Sequence, residues 1–81
     1  MQGKIKSVAA SWGSGIITLD VIDPDGKTVA VHGDNGPTVR ALDSLFGCIG
    51  PGHSINVNAI IGQEIEYSLT DWGTIESLSS L

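Results

Sequence analysis

Short apolar runs that alternate with polar residues, separated by glycine, set the scale of what this chain can fold into. Between Ile16 and Ile22, the residues Ile17, Leu19 and Val21 fall on one face of an extended segment, while Thr18 and Asp20 fall on the other. Asp23-Pro24-Asp25-Gly26 then reads as a turn. Proline presets φ, the Asp side chains cap the bend, and glycine accepts positive φ. Lys27 to His32 returns as a further strand, with Val29 and Val31 inward and Thr28, Ala30 and His32 outward. Lys4 to Ala10 precedes this pair as a first, weakly alternating strand. The eleven glycines lie between such runs rather than inside them, which makes the elements short and the connections tight.

The pattern changes after Gly33. Asp34-Asn35-Gly36-Pro37-Thr38 is rich in helix-entry residues. Val39, Leu42, Leu45 and Phe46 follow at helical spacing, and Gly47 supplies a stop. This predicts one amphipathic helix of about ten residues. Gly47 to Gly52 is a loop, and Ile55 to Ala59 alternates as a short strand. Glu64 to Leu69 is a clear strand, with Ile65, Tyr67 and Leu69 inward. Asp71-Trp72-Gly73 turns the chain, and Thr74 to Leu78 forms the last strand. The order predicts a mainly β domain over residues 1–81, a small five- to six-stranded OB-like barrel with one short helix after strand three. An SH3-like barrel is the alternative, because it too is a small, strongly curved sheet. The predicted core is Ile17, Leu19, Val29, Val31, Leu42, Phe46, Ile65, Tyr67 and Leu69.

At 81 residues and 41 % hydrophobic, the chain holds one small core. Nine acids against four bases give a net charge of −5, which disfavours electrostatic binding to a phosphate backbone. A single cysteine, Cys48, excludes an internal disulfide framework and fits a reducing compartment. The sequence has no membrane-length apolar run, and Met1 to Lys6 lacks the apolar stretch of a signal peptide. The expectation is a small acidic cytoplasmic protein that uses no membrane.

Several segments resemble the cold-shock domain. Gly3-Lys4-Ile5-Lys6 and, six residues on, Gly13-Ser14-Gly15-Ile16-Ile17 are similar to that family's opening G-K-V-K-W-F and K-G-F-G-F-I. Val29-Ala30-Val31-His32 resembles its V-F-V-H motif, and Gly62-Gln63-Glu64-Ile65-Glu66-Tyr67 its G-Q-x-V-x-F strand. The likeness touches about half of the chain, and the segment from Pro37 to Ile61 has no equivalent in the short bacterial form. It implies the barrel, and single-stranded nucleic acid as ligand. The family stacks bases on surface aromatics, each stack contributing ~1–3 kcal/mol. At the matching positions this chain carries Ser7, Val8, Ser14, Ile16, Ala30 and Gly33, so that platform is gone. His32, Lys4 and Lys6 remain, and the resemblance therefore supports the fold more than the activity.

The other chemistry-bearing residues have structural readings. Gly13-Ser14-Gly15 opens a strand rather than a helix, so it is a bend and not a phosphate loop. Asp23, Asp25 and Gly26 resemble the start of a calcium loop but lack its later ligands. Cys48, His32 and His53 hold the elements of a thiol–imidazole pair or a zinc site, with no orienting group and no ligand spacing. No constellation supports catalysis, a metal or a cofactor. The sequence therefore predicts a non-enzymatic binding module acting through the face of strands one to three. Lys4, Lys6, Trp12 and His32 would contact single-stranded RNA or DNA weakly. The competing reading is a protein-interaction or homodimeric module, with Val8, Ile16 and Ala30 forming an apolar contact face.

Overall fold

The computed structural model describes residues 1–11 and 13–81, the side chains of Ser11 and His53 apart. Its elements are β1 (Gln2–Ser11), β2 (Ile16–Ile22), β3 (Thr28–Asp34), α1 (Asn35–Phe46), β4 (Glu64–Leu69) and β5 (Ile75–Ser80), with 3-10 turns at Pro51–His53 and Val57–Ala59. The strands form one sheet in the order β3-β2-β1-β4-β5, and all neighbours are antiparallel. Thr74, just ahead of β5, bridges in parallel to His32 of β3 and so brings the two ends of the sheet together. A helix between β3 and β4, with β5 returning beside β3, is the strand order of a partly open OB-like barrel. Residues 35–46 are helical rather than extended, as the OB-like reading expects.

Local chemistry accounts for most boundaries. β2 alternates as expected, with Ile17, Leu19 and Val21 fully buried. In the turn after it, the Asp23 carboxylate accepts the N–H groups of Asp25 (3.0 Å) and Lys27 (2.9 Å), and Gly26 takes φ +86°. Helix α1 starts at Asn35, two residues before Pro37, which lies in its first turn. It ends at Gly47, which is left-handed at φ +66° and whose N–H donates to the Asp43 carbonyl at 2.8 Å. Thr38 and Leu42 are its buried residues, and Val39 and Phe46 pack at the edge of the core.

Three expectations need correction. Val29 is 38 % exposed rather than in the core. Its parity is inward, opposite the buried Val21, but the chain at the start of β5 meets β3 at His32 and Gly33, beyond Val29. Phe46 and Leu69 are half-buried rather than fully enclosed. Ile55 to Ala59 is not a strand. Ile55 makes one isolated bridge to Ile49, and Val57–Ala59 coils because the Asn56 side chain accepts the Asn58 N–H at 3.2 Å. In their place Ile5, Cys48 and Ile60 complete the core with Ile65 and Tyr67.

A bulge in β1 decides which side chains share a face. Ile5 lies opposite Val21 and Ser7 opposite Asp20, so Lys6 is the extra residue. Lys4 and Val8 both have even numbers, yet the inserted residue inverts the alternation between them. Lys4 is exposed, whereas Val8 sits opposite Leu19 and packs against the core.

Candidate functional site

The outer face of β1, β2 and β3 is a set of cross-strand rows. Lys4, Ile22 and Thr28 form one row, and Ser7, Asp20 and Ala30 the next. Ala9, Thr18 and His32 follow, and Ile16 with Asp34 ends the face. Hydrogen bonds tie the rows internally. Ser7 Oγ donates to the Asp20 carboxylate at 2.7 Å, and Thr18 Oγ1 lies 2.9 Å from His32 Nδ1. The ring of His32 is therefore held in place while its body stays exposed.

This arrangement separates residues that the sequence groups together. Lys4 and Lys6 are exposed at one end of the face, and His32 is exposed near the other. The Ser7–Asp20 row stands between them, and Asp34 lies beyond His32. The cations are thus interrupted by carboxylates. Lys4 also lines a cleft of ≈ 280 Å³ with Gln2, Asp23 and Glu64, where acids again outnumber bases. Ile16 and Ala30 both lie on this face, but the Thr18–His32 row divides them, and Val8 points to the core. Trp12 lies outside the described residues.

The most exposed aromatic residue among the described residues is Trp72, which the sequence reading took only as part of a turn. It occupies the β4–β5 turn and is 92 % exposed. Tryptophan usually buries most of its surface, so such display is unusual. The turn itself is braced. The Thr70 N–H donates to the Thr74 carbonyl at 2.7 Å, and the Gly73 N–H to the Thr70 carbonyl at 2.9 Å. The two threonine hydroxyls are 2.8 Å apart, and Gly73 takes φ +82°. Because Thr74 bridges His32, the turn stands at the outer edge of β3, beside the Thr18–His32 row. The available signal was Asp71-Trp72-Gly73 itself: a tryptophan at the centre of a tight turn has no core position to fill.

Other candidates fall into structural roles. Cys48 is buried, and burial pushes its thiol pKa up, with the Asp43 carboxylate adding to the shift. A thiol held protonated is a poor nucleophile. His32 is exposed on the barrel's outer face, so the structure does not present the two as a pair. Asp23 is engaged in its turn. Among the described residues no three His, Cys, Asp or Glu side chains gather as a metal site would require. Among them, too, no helix is long and apolar enough to cross a membrane.

The structure offers an accessible indole on a braced turn that leads into the Thr74–His32 bridge, an imidazole held by Thr18 on the outer face of β3, and two lysines at the far end of that face. Compared with family models, curated proteins and solved structures, the chain matches none of them.

Proposed function

We propose that this chain is a non-enzymatic OB-like binding module that takes single-stranded nucleic acid weakly, with Trp72 as its stacking anchor. The observation that carries this reading is the display of Trp72 on the β4–β5 turn next to β3. In OB barrels the face of strands two and three, flanked by the β1–β2 and β4–β5 loops, is the surface that takes oligomeric ligands. The resemblance of the first three strands to the cold-shock domain adds support. Trp72 supplies from the loop the stacking surface that the strands lack. His32 contacts the ligand beside it, and Lys4 and Lys6 meet phosphates further along the face. With a net charge of −5, affinity stays in the range of non-specific binders, a dissociation constant of ~10⁻⁴–10⁻⁶ M at physiological salt. An apolar protein-contact face at Val8, Ile16 and Ala30 has less support, because Val8 packs inward and a polar row divides the other two.

Titration of labelled single-stranded DNA and RNA at low and physiological salt tests the reading. Trp72→Ala removes a stack of ~1–3 kcal/mol, a loss of about five- to 150-fold, and leaves the salt slope unchanged. Replacing Lys4 and Lys6 together by Ala flattens the slope. Absence of binding by the parent at low salt, or a Trp72→Ala variant that binds like the parent, overturns the proposal.

A further inference from the structure

We propose that the open edge of β3 at Thr28–Ala30 takes an extended, lysine- or arginine-bearing peptide of a partner protein as an added strand. β3 ends the sheet, and among the described residues the chain beyond it meets it at His32, through Thr74, and at Gly33, through Ile75. Two hydrogen bonds fix which backbone groups of β3 point outward. The Asp23 N–H donates to the Lys27 carbonyl at 2.8 Å at one end of the β2–β3 ladder, and the Asn35 N–H to the Gly15 carbonyl at 2.7 Å at the other. The register between them is unbroken, so the odd-numbered residues of β3 share their bonds with β2. Thr28, Ala30 and His32 therefore turn their N–H and C=O groups away from β2. His32 uses that side for its bridge to Thr74, whereas Thr28 and Ala30 lie beyond the bridge and are exposed. Val29 between them has inward parity yet is 38 % exposed, so the same gap leaves an apolar side chain uncovered. Sheet edges are normally blunted by a charge, a proline or a bulge. At the other end of the sheet, β5 has the charged Glu76 as the extra residue of a bulge. Thr28-Val29-Ala30 has none of the three devices.

Backbone and charge together identify the occupant. Outward N–H and C=O groups on alternate residues are matched in spacing by another extended backbone. A residue of that strand opposite Ala30 joins the row of Ser7, Asp20 and Ala30 on the outer face. Asp20 is two strand spacings from it, ~10 Å, and Ala30 between them offers only a methyl group. A lysine or arginine stem lies across that methyl and brings its cation to the Asp20 carboxylate, which already accepts Ser7 Oγ at 2.7 Å. The residues on either side of it in the added strand face inward and, if apolar, cover Val29. A net charge of −5 favours the approach of a basic segment and opposes the pairing of two β3 edges from two copies.

The probe is the capped peptide acetyl-Thr-Val-Lys-Val-Thr-amide, titrated into the protein and followed by NMR with amide hydrogen exchange. At saturation, exchange at Thr28 and Ala30 should slow ~10-fold or more, while Val29 and Val31, already bonded to β2, change little. N-methylation of the peptide should weaken binding ~10-fold or more at alternate amides and little at those between, because only alternate N–H groups face β3. Replacing the peptide's lysine by glutamate should weaken binding about tenfold, and Asp20→Asn should remove that preference. Ala30→Pro takes away the outward N–H where an edge strand tolerates proline, and should abolish binding. If that variant unfolds, Ala30→Lys gives the same reading, since its own cation reaches Asp20 and covers the edge. A peptide that does not bind at millimolar concentration overturns the proposal. So does binding that tolerates N-methylation at every position, that is equal for the lysine and glutamate peptides, or that persists in a folded Ala30 variant. Protection of Thr28 and Ala30 that grows with protein concentration alone also overturns it, and assigns the edge to a second copy.

Discussion

Gly33 is where β3, α1 and β5 come closest, and adding a single methyl group there probes the whole closure. The residue is buried, faces inward and lies opposite Ile17. A Cβ built on it would overlap Thr38 Oγ1 and come within 3.3 Å of both Thr38 Cβ and Ile75 Cδ1. Thr38 is itself buried in the first turn of α1, so it has little room to retreat. Overpacking of this kind costs ~1–3 kcal/mol. Gly33 does not need positive φ, so alanine also restrains the unfolded chain and returns ~0.4–1 kcal/mol. Gly33→Ala should therefore destabilise by roughly 0.5–2 kcal/mol. At ~4–8 °C per kcal/mol for a domain of this size, Tm falls by several degrees. Thr38→Ala removes the hydroxyl that the new methyl meets, so the double variant should be more stable than the two single losses predict, by ~0.5–2 kcal/mol. Urea unfolding followed by far-UV circular dichroism measures all four corners of the cycle. A Gly33→Ala protein at least as stable as the parent, or additive single effects, would refute the argument that β3 and α1 touch here through a missing side chain.

Leu42→Ala should cost ~2–5 kcal/mol, and Phe46→Ala less than ~3, because Leu42 is fully buried and Phe46 only half so. Thermal melts that reverse this order would contradict the placement of α1. Asp23→Ala should lose about 1 kcal/mol, since two backbone N–H groups lose their acceptor in an exposed turn. Asp23→Asn, which keeps the oxygen, should lie closer to the parent in urea midpoint. The Cys48 thiol is raised above its ordinary 9.0 by burial first and by Asp43 second. The unfolded chain then holds fewer protons than the folded one above pH 9.0, so stability is intact below that pH and falls as pH rises. Tyr67, raised above 10.0 chiefly by burial, adds to the loss at higher pH. Urea midpoints measured between pH 9.0 and 10.0 should decline in the parent and much less in Cys48→Ala.

The candidate site was legible only in part, because its residues owe their grouping to different causes. Lys4, Lys6 and His32 are exposed, as a reading of alternating strands expects. Their relative placement was not readable, because it follows from pairing. The Ser7–Asp20 row lies between the lysines and the histidine only once β1, β2 and β3 are in register. Val8 changed sides through one inserted residue at Lys6, since a period of two inverts after a single insertion. The position of the Trp72 turn followed only from the Thr74–His32 bridge, which joins the chain after it to β3.

The sequence by itself determined the local elements. The β2–β3 hairpin follows from alternation and the Asp23–Gly26 turn, β4 from the clean period of two between Glu64 and Leu69, and the end of α1 from Gly47. These depend on backbone preferences and on side chains a few residues apart, so they can be read along the chain. Only the tertiary structure decided what closes over what. Val29 has the inward parity of a core residue, yet it is left open because the chain at the start of β5 meets β3 at His32 and Gly33. Cys48 and Ile60 sit in stretches without a readable period, yet they complete the core because the α1–β4 connection folds back onto it. Burial is set by elements distant in sequence converging on one volume, which a local pattern can permit but cannot enforce.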